Sequence, residues 1–154
     1  MFPFAKILCP TDFSAPSLEA LDWACALTRH FGGELLLLHV VTPIPAVASA
    51  PGGAVTVETA SYQQQLVDEA DRELWQLRKD RVPDEVRSAY HVAVGSPAQA
   101  IARTATQREM DLIVIATHGH TGWRRFVAGS VAERVVREAD CPVLTLQPSQ
   151  REEP

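Results

Sequence analysis

The sequence predicts an α/β fold in which a mostly parallel β-sheet is covered by helices on both faces. Short apolar runs alternate with longer amphipathic stretches along the chain, as in successive β-α-β units with right-handed crossovers. Residues 35–41 form an unbroken apolar run around one histidine, which is typical of a parallel strand buried on both faces. Residues 58–81 place Leu66, Ala70 and Leu74 on one side of a long helix. These patterns indicate a doubly wound α/β sandwich.

The predicted elements follow in the order β-α-β-α-β-α-β-α-β. The five strands are the apolar runs at residues 5–9, 35–41, 86–94, 112–116 and 142–146. The four helices are predicted to start after Ser14, to span residues 58–81 and 98–107, and to start at Ser130. Ser14 is a good N-cap, Gly32-Gly33 is a stop signal, and Ser130 with Glu133 forms a capping-box pattern. Residues 43–53, rich in Pro and Gly, are predicted to be a loop and not a domain boundary.

Length and composition predict one soluble domain of the cytoplasm. The chain has 154 residues, of which 46% are hydrophobic, and a chain of this size needs no disulfide or metal to fold. We expect a single domain over residues 1–148 and a tail over residues 149–154. No apolar run approaches the ~18 residues of a membrane span, and the first residues lack a signal-peptide pattern. Cys9, Cys25 and Cys141 are odd in number and far apart, which favours buried thiols in a reducing compartment.

The charge balance argues against nucleic acid or a membrane surface as a partner. The formal net charge is -5, from 14 basic and 19 acidic residues, whereas a nucleic-acid interface needs a basic surface. Lys6 and Lys79 are the only lysines, so the chain has no polybasic patch for anionic lipids.

Two loops at predicted strand ends carry the candidate chemistry. Residues 10–14 follow the first strand, and residues 116–130 follow the fourth strand and lead into the helix at Ser130. Backbone N–H groups and the positive end of the helix dipole at that point suit an anion. No Asp or Glu occurs in residues 112–132, and Arg124-Arg125 adds positive charge. We therefore expect a phosphate-type ligand at the carboxyl ends of the strands.

Other chemistries fit the same residues less well. Asp12 taken alone is typical of a turn or helix cap, and Ser130 caps the last helix in either interpretation. His118 and His120 have no carboxylate or thiol near them in the sequence, which makes them a poor metal ligand set. Gly129-Ser130 lacks the G-x-S-x-G pattern of a hydrolase elbow, and neither lysine follows a glycine-rich loop as in a Walker A motif.

Five stretches of the chain together resemble the universal stress protein family. They are residues 10–14, 39–41, 94–97, 116–130 and 141–144. They extend over nearly the whole chain, in the order and with the spacing of that family. The resemblance implies a three-layer, Rossmann-like sandwich of the adenine nucleotide alpha hydrolase-like type with strand order 3-2-1-4-5. In that order the first and fourth strands end at the switch point of the sheet, where the two candidate loops lie.

Nucleotide-binding members of this family carry the pattern G-x2-G-x9-G-[S/T] after the fourth strand. Gly119, Gly129 and Ser130 fit its later positions, whereas Ala116 stands at the first glycine. Alanine resists positive φ, so this departure is harmless if the backbone there is extended. The resemblance implies that Asp12 contacts the ribose or Mg²⁺, that Val40 contacts the adenine ring, and that the start of the last helix holds phosphate. The implied nucleotide-binding residues are Pro10, Thr11, Asp12, Phe13, Ser14, Val40, Ala116, Thr117, His118, Gly119, His120, Thr121, Gly122, Gly129, Ser130, Val131 and Ala132.

Three functions remain open for such a chain. The first is a regulator of the stress response that binds ATP, ADP or AMP with Mg²⁺. The second is a dimeric interaction module that has lost nucleotide binding, which Ala116 favours. The third is a slow ATPase, for which His118 and His120 are candidate general bases that no residue orients. The resemblance also implies a homodimer paired through the last strand, Val143–Leu146, because an apolar edge strand is a liability in a monomer.

Overall fold

The computed structural model describes residues 4–45, 57–117 and 130–147. In these ranges the strands are β1 (Lys6–Pro10), β2 (Glu34–Val41), β3 (Arg87–Val94), β4 (Leu112–Ala116) and β5 (Val143–Leu146). The helices are α1 (Ala15–Phe31), α2 (Val57–Arg81), α3 (Pro97–Gln107) and α4 (Ser130–Glu138). Their order is the predicted one. No helix in the described ranges is long and apolar enough to cross a membrane.

The strands form one sheet with the order β3-β2-β1-β4-β5, and all of its neighbouring pairs are parallel. This confirms the predicted α/β class and the strand order 3-2-1-4-5. β1 lies at the centre, where Leu8 pairs in register with Leu36 of β2 and Ile113 of β4. The chain crosses from β3 to β4 over the central strands, so the direction of winding reverses between β1 and β4. A crevice at their carboxyl ends is therefore expected.

The alternation of side chains along the central strands divides the core into two apolar clusters. On one face, Ile7, Cys9 and Leu37 pack with residues of α1 and α2. On the other face, Leu8 and Leu38 pack with residues of α3 and α4. Both faces of β1 and β2 are buried, which explains why their sequences read as unbroken apolar runs.

Helix α1 begins and ends at the predicted residues. The side chain of Ser14, the N-cap, accepts a hydrogen bond from the N–H of Ser17. Gly32 ends the helix with φ 65°, a left-handed conformation that glycine adopts without steric cost. A Cβ atom on the next residue, Gly33, would lie 2.5 Å from the carbonyl oxygen of Ala5, so only glycine lets β2 begin this close to β1.

Helix α4 differs in detail from its prediction. Ser130 is already its first helical residue, and the carboxylate of Glu133 accepts a hydrogen bond from Arg137 one turn later. The Glu133 side chain thus pairs with Arg137 and does not form the capping box predicted with Ser130. Most of the predicted loop at 43–53, all of residues 118–129 and the predicted tail at 149–154 lie outside the described residues.

Candidate functional site

A cleft of about 380 Å³ opens at the carboxyl edge of the sheet, between the ends of β1, β2 and β4 and the first turns of α3 and α4. The sequence-predicted residues that line it are Pro10, Thr11, Asp12, Val40, Ala116, Thr117, Ser130, Val131 and Ala132. They come from four separate parts of the chain, and the strand order brings them together. The position at the switch point and the volume are both typical of a small-molecule site.

The acidic group of the cleft, Asp12, is held by the loop between β1 and α1. Its Oδ1 accepts hydrogen bonds from the N–H of Ser14, at 3.0 Å, and from the hydroxyl of Ser14. Thr11 is tied to the first turn of α1 because its Oγ1 lies 2.9 Å from Oγ of Ser17. The carboxylate of Asp12 is thus exposed, and hydrogen bonds within the loop and to α1 hold it in place.

Phe13 and Ser14, which were also predicted for the site, do not line the cleft. Ser14 is buried as the cap of α1. Phe13 has φ 64°, a conformation that costs a residue with a side chain about 1–2 kcal/mol. Its ring packs against the α1/α2 side of the core and against the ring of His39, with centroids 4.7 Å apart. Both residues therefore support the loop from the side that faces away from the cleft.

Ala116 is the last residue of β4 and pairs in register with Leu146 of β5. Its backbone is that of a strand, so the position does not require the positive φ that alanine resists. The next residue, Thr117, donates to the carbonyl oxygen of Leu146 from its N–H at 2.9 Å and from its hydroxyl at 3.2 Å. The alanine at the first glycine position of the family pattern is therefore accommodated without strain.

The first turn of α4 forms the opposite wall through Ser130, Val131 and Ala132. The first four N–H groups of a helix have no partner within the helix, and the helix dipole adds positive charge at this end. Glu133 is the acidic residue of this turn, and its ion pair with Arg137 offsets a charge that would otherwise repel an anion. The wall is suited to a phosphate or another anion.

Six further residues line the cleft that were not predicted as site residues: Ser17, Leu38, His39, Pro97, Ile101 and Ile115. Leu38, Ile101 and Ile115 are buried and give the cleft an apolar wall on the α3 side. His39 donates from Nδ1 to the carbonyl oxygen of Thr11 at 2.8 Å, because a carbonyl only accepts. Because the wall on the α3 side is apolar and the first turn of α4 suits an anion, the cleft can hold a flat apolar group at one wall and an anion at the other.

The thiols lie away from this cleft. Burial raises the pKa of Cys25 to about 11, with a further contribution from the nearby charge of Asp22. Burial also raises the pKa of Cys9 and of Cys141. All three cysteines are free. Cys9 and Cys25 are buried as the sequence predicts, whereas the prediction is wrong for Cys141, which is partly exposed. Their thiolates, the reactive form, are disfavoured near neutral pH.

The predicted site residues His118, Gly119, His120, Thr121, Gly122 and Gly129 lie outside the described residues. They stay predictions, as do the roles assigned to the residues that line the cleft.

Comparison with known proteins agrees with this architecture. The model of the universal stress protein family matches residues 3–147. Universal stress protein MJ0531 of Methanocaldococcus jannaschii is 34% identical over 149 residues, which cover 97% of this chain and 85% of that protein. The solved structure of MJ0577 from the same organism is 27% identical, has a TM-score of 0.82, and is matched over 96% of this chain and 98% of that one.

Two further solved relatives contain adenine nucleotides. One is a universal stress protein in complex with cAMP, 20% identical, with a TM-score of 0.63 and coverage of 96% of this chain and 100% of that chain. The other is the universal stress protein of Archaeoglobus fulgidus in complex with dAMP, 23% identical, with a TM-score of 0.55 and coverage of 94% and 98%. Both share the fold described above. From its sequence and its fold, this chain belongs to the universal stress protein family.

Proposed function

We propose that this chain binds ATP, or a related adenine nucleotide, with Mg²⁺ in the cleft and acts as a nucleotide-dependent regulator in the stress response. In this proposal residues 1–148 act as one domain. One observation carries the proposal: the first turn of α4, the carboxylate of Asp12 and the apolar end of β2 at Val40 all line one cleft at the switch point of the sheet. The phosphate, the ribose and the adenine ring of a nucleotide thus each find a matching surface in this cleft.

Each part of a nucleotide is assigned to the group whose chemistry fits it. The phosphates lie at the N–H groups of Ser130, Val131 and Ala132, where the helix dipole favours negative charge. Asp12 accepts hydrogen bonds from the ribose hydroxyls. The adenine ring packs on the apolar wall beside Val40. A cleft of about 380 Å³ is within the range of pockets that hold ligands of this size.

The donor set fits Mg²⁺ that arrives with the nucleotide. Magnesium in such sites keeps several waters and binds one or two carboxylates together with phosphate oxygens. Asp12 is the carboxylate that lines the cleft. In the described part of the chain no three His, Cys, Asp or Glu side chains gather in a group that could hold a metal ion by themselves. Asp12 would therefore supply the carboxylate, and phosphate oxygens and water would supply the other ligands.

The class of nucleotide is supported by the two relatives solved with cAMP and dAMP, since both ligands carry adenine. Ala116 has the backbone conformation of a strand, which alanine adopts without strain. The alanine at the first glycine position is therefore compatible with a nucleotide site. We therefore favour the nucleotide-binding regulator over an interaction module without a ligand.

Isothermal titration of the nucleotide-stripped protein with ATP and Mg²⁺ tests this proposal. Asp12→Asn removes the charge but keeps an oxygen for the bonds from Ser14, so the loop geometry is retained. We expect micromolar binding by the wild type and a loss of about tenfold in Asp12→Asn, the usual effect of weakening a charged hydrogen bond. Asp71→Asn, on the exposed side of α2, is the matched control and binds like the wild type. Absence of heat at millimolar ATP contradicts the proposal.

The proposal includes a homodimer paired through β5. β5 is an edge strand of four residues, and its Val143, Leu144 and Leu146 are only partly buried. Pairing with the same strand of a second copy would cover this edge. Light scattering should give twice the chain mass of 16.9 kDa, and Thr145→Lys on β5 should shift the mass toward one copy. Gln64→Lys on α2 is the control, and a wild-type mass of one chain at micromolar concentration contradicts the dimer.

A further inference from the structure

His39 lies near the end of β2 and lines the cleft beside Val40. Its Nδ1 is 2.8 Å from the carbonyl oxygen of Thr11. Since that oxygen cannot donate, the proton of this bond is on Nδ1, in both the neutral and the charged ring. The contact therefore determines the orientation of the imidazole and, in the neutral ring, its tautomer.

Thr11 is held to β2 by both of its backbone polar groups. Its N–H donates to the carbonyl oxygen of Leu38 at 2.8 Å, and its carbonyl oxygen accepts from His39. Thr11 is only 6% exposed, so water has little access to replace a lost donor. Removal of the His39 N–H thus takes away a partner that solvent cannot easily restore.

Phe13 makes the second contact between this loop and His39. The two rings are 4.7 Å apart at their centroids and are tilted by 38°. Phe13 has φ 64°, and a residue with a side chain keeps such a backbone where the contacts around it hold it in place. His39 therefore braces Thr11 and Phe13, the two residues on either side of Asp12.

We propose that His39 is a positioning residue: it holds the backbone of residues 11–13 so that the Asp12 carboxylate is presented to the nucleotide. This inference rests on the proposed nucleotide site and identifies the residue that sets the geometry of its acidic group. Asp12 itself lines the cleft and is bonded to Ser14, so its place depends on the loop backbone that His39 holds.

Two substitutions separate the hydrogen bond from the ring packing. His39→Phe keeps an aromatic ring against Phe13 but has no donor. His39→Asn loses the ring but places an N–H the same number of bonds from the backbone as Nδ1 of histidine. Titration with ATP and Mg²⁺ should show about tenfold weaker binding in His39→Phe, and binding within about threefold of the wild type in His39→Asn. This rescue is not expected if His39 acts only by packing.

The outcomes distinguish this inference from the function on which it rests. If wild type and His39→Phe bind ATP equally, or if His39→Asn is as weak as His39→Phe, the inference is wrong and the proposed function stands. If the wild type binds no adenine nucleotide, both are overturned. Should His39→Phe fail to fold, nitrogen-15 NMR of the unliganded wild type decides: a proton on Nδ1 of His39 supports the inference, and a bare Nδ1 overturns it.

Discussion

Leu37 and Leu38 are adjacent residues of β2, and substitutions at the two positions distinguish an effect on the stability of the fold from an effect on ligand binding in the cleft. Both are 0% exposed, but they point to opposite faces. Leu37 packs in the cluster under α1 and α2, whereas Leu38 packs in the cluster under α3 and α4 and also lines the cleft. Substitution of either leucine by alanine therefore leaves a similar cavity in the core, but only the substitution of Leu38 also changes the wall of the cleft.

The expected loss of stability is similar for the two variants. Truncation of a fully buried leucine to alanine removes its transfer free energy and leaves a cavity, which together cost about 3–5 kcal/mol. For a chain of 154 residues this lowers Tm by roughly 6–20 °C. Urea unfolding followed by circular dichroism measures both losses, and an unchanged slope of the free energy of unfolding against urea shows that the native state stays compact.

The expected effect on binding differs between the two variants. Leu38→Ala enlarges the apolar wall of the cleft and should weaken ATP binding about tenfold, the usual effect of lost apolar contact in a pocket. Leu37→Ala should bind within about twofold of the wild type once it is measured well below its Tm. Equal losses of affinity would refute the placement of the ligand on the α3/α4 side of β1 and β2. A loss of stability below about 1 kcal/mol in either variant would refute the buried packing.

Three further predictions concern the rest of the fold. Gly33→Ala places a Cβ 2.5 Å from a backbone carbonyl oxygen that cannot move aside, so it should lower the free energy of unfolding by about 1–3 kcal/mol in urea titrations; an unchanged midpoint contradicts this close approach. Cys141, which is partly exposed, should react with a thiol reagent at pH 8 before Cys25, whose pKa burial raises to about 11; faster labelling of Cys25 contradicts its burial. Burial and the nearby charge of Arg108 lower the pKa of His91 from its ordinary 6.5, so the unfolded chain binds more protons just below that pH. The free energy of unfolding should therefore fall as pH drops below 6.5, and less steeply in His91→Gln; parallel pH profiles of the two proteins contradict this assignment.

The sheet was accessible to prediction because its signals are local. The apolar run of β2 and the glycine pair after α1 each fix an element from a few neighbouring residues. The strand order was different: it came from the family resemblance, since strand pairing depends on contacts far apart in the chain. The bonds from the N–H groups of Ala5 and Lys6 to Asp111 Oδ2, which tie the start of β1 to the start of β4, span more than 100 residues and have no local signal.

The residues of the candidate site could be predicted where they lie at the ends of strands, but not where they lie within helices or strands. Asp12 lies in the loop after β1, and Ser130 begins α4 at the end of the stretch from residue 116, and the composition of both stretches already indicates a ligand. Ser17 and Ile101 lie inside amphipathic helices, where nothing in the periodicity separates a residue of the cleft from a residue of the core. His39 had a weak signal, as the polar residue within the apolar run of β2. Phe13 was assigned to the site by the family resemblance, but its ring packs against the core and against His39 and does not line the cleft.

An NMR titration of the nitrogen-15-labelled, nucleotide-stripped protein with ATP and Mg²⁺ tests the central claim most directly, because it reports which backbone amides sense the ligand. We predict that the largest shifts fall on Thr11, Asp12 and Val40, and on the first turn of α4 at Val131 and Ala132, while the exposed face of α2 stays unchanged. Saturation at micromolar to submillimolar ATP with this distribution supports a nucleotide held between the loop after β1 and the start of α4. Shifts confined to other surfaces, or none at millimolar ATP, would contradict it.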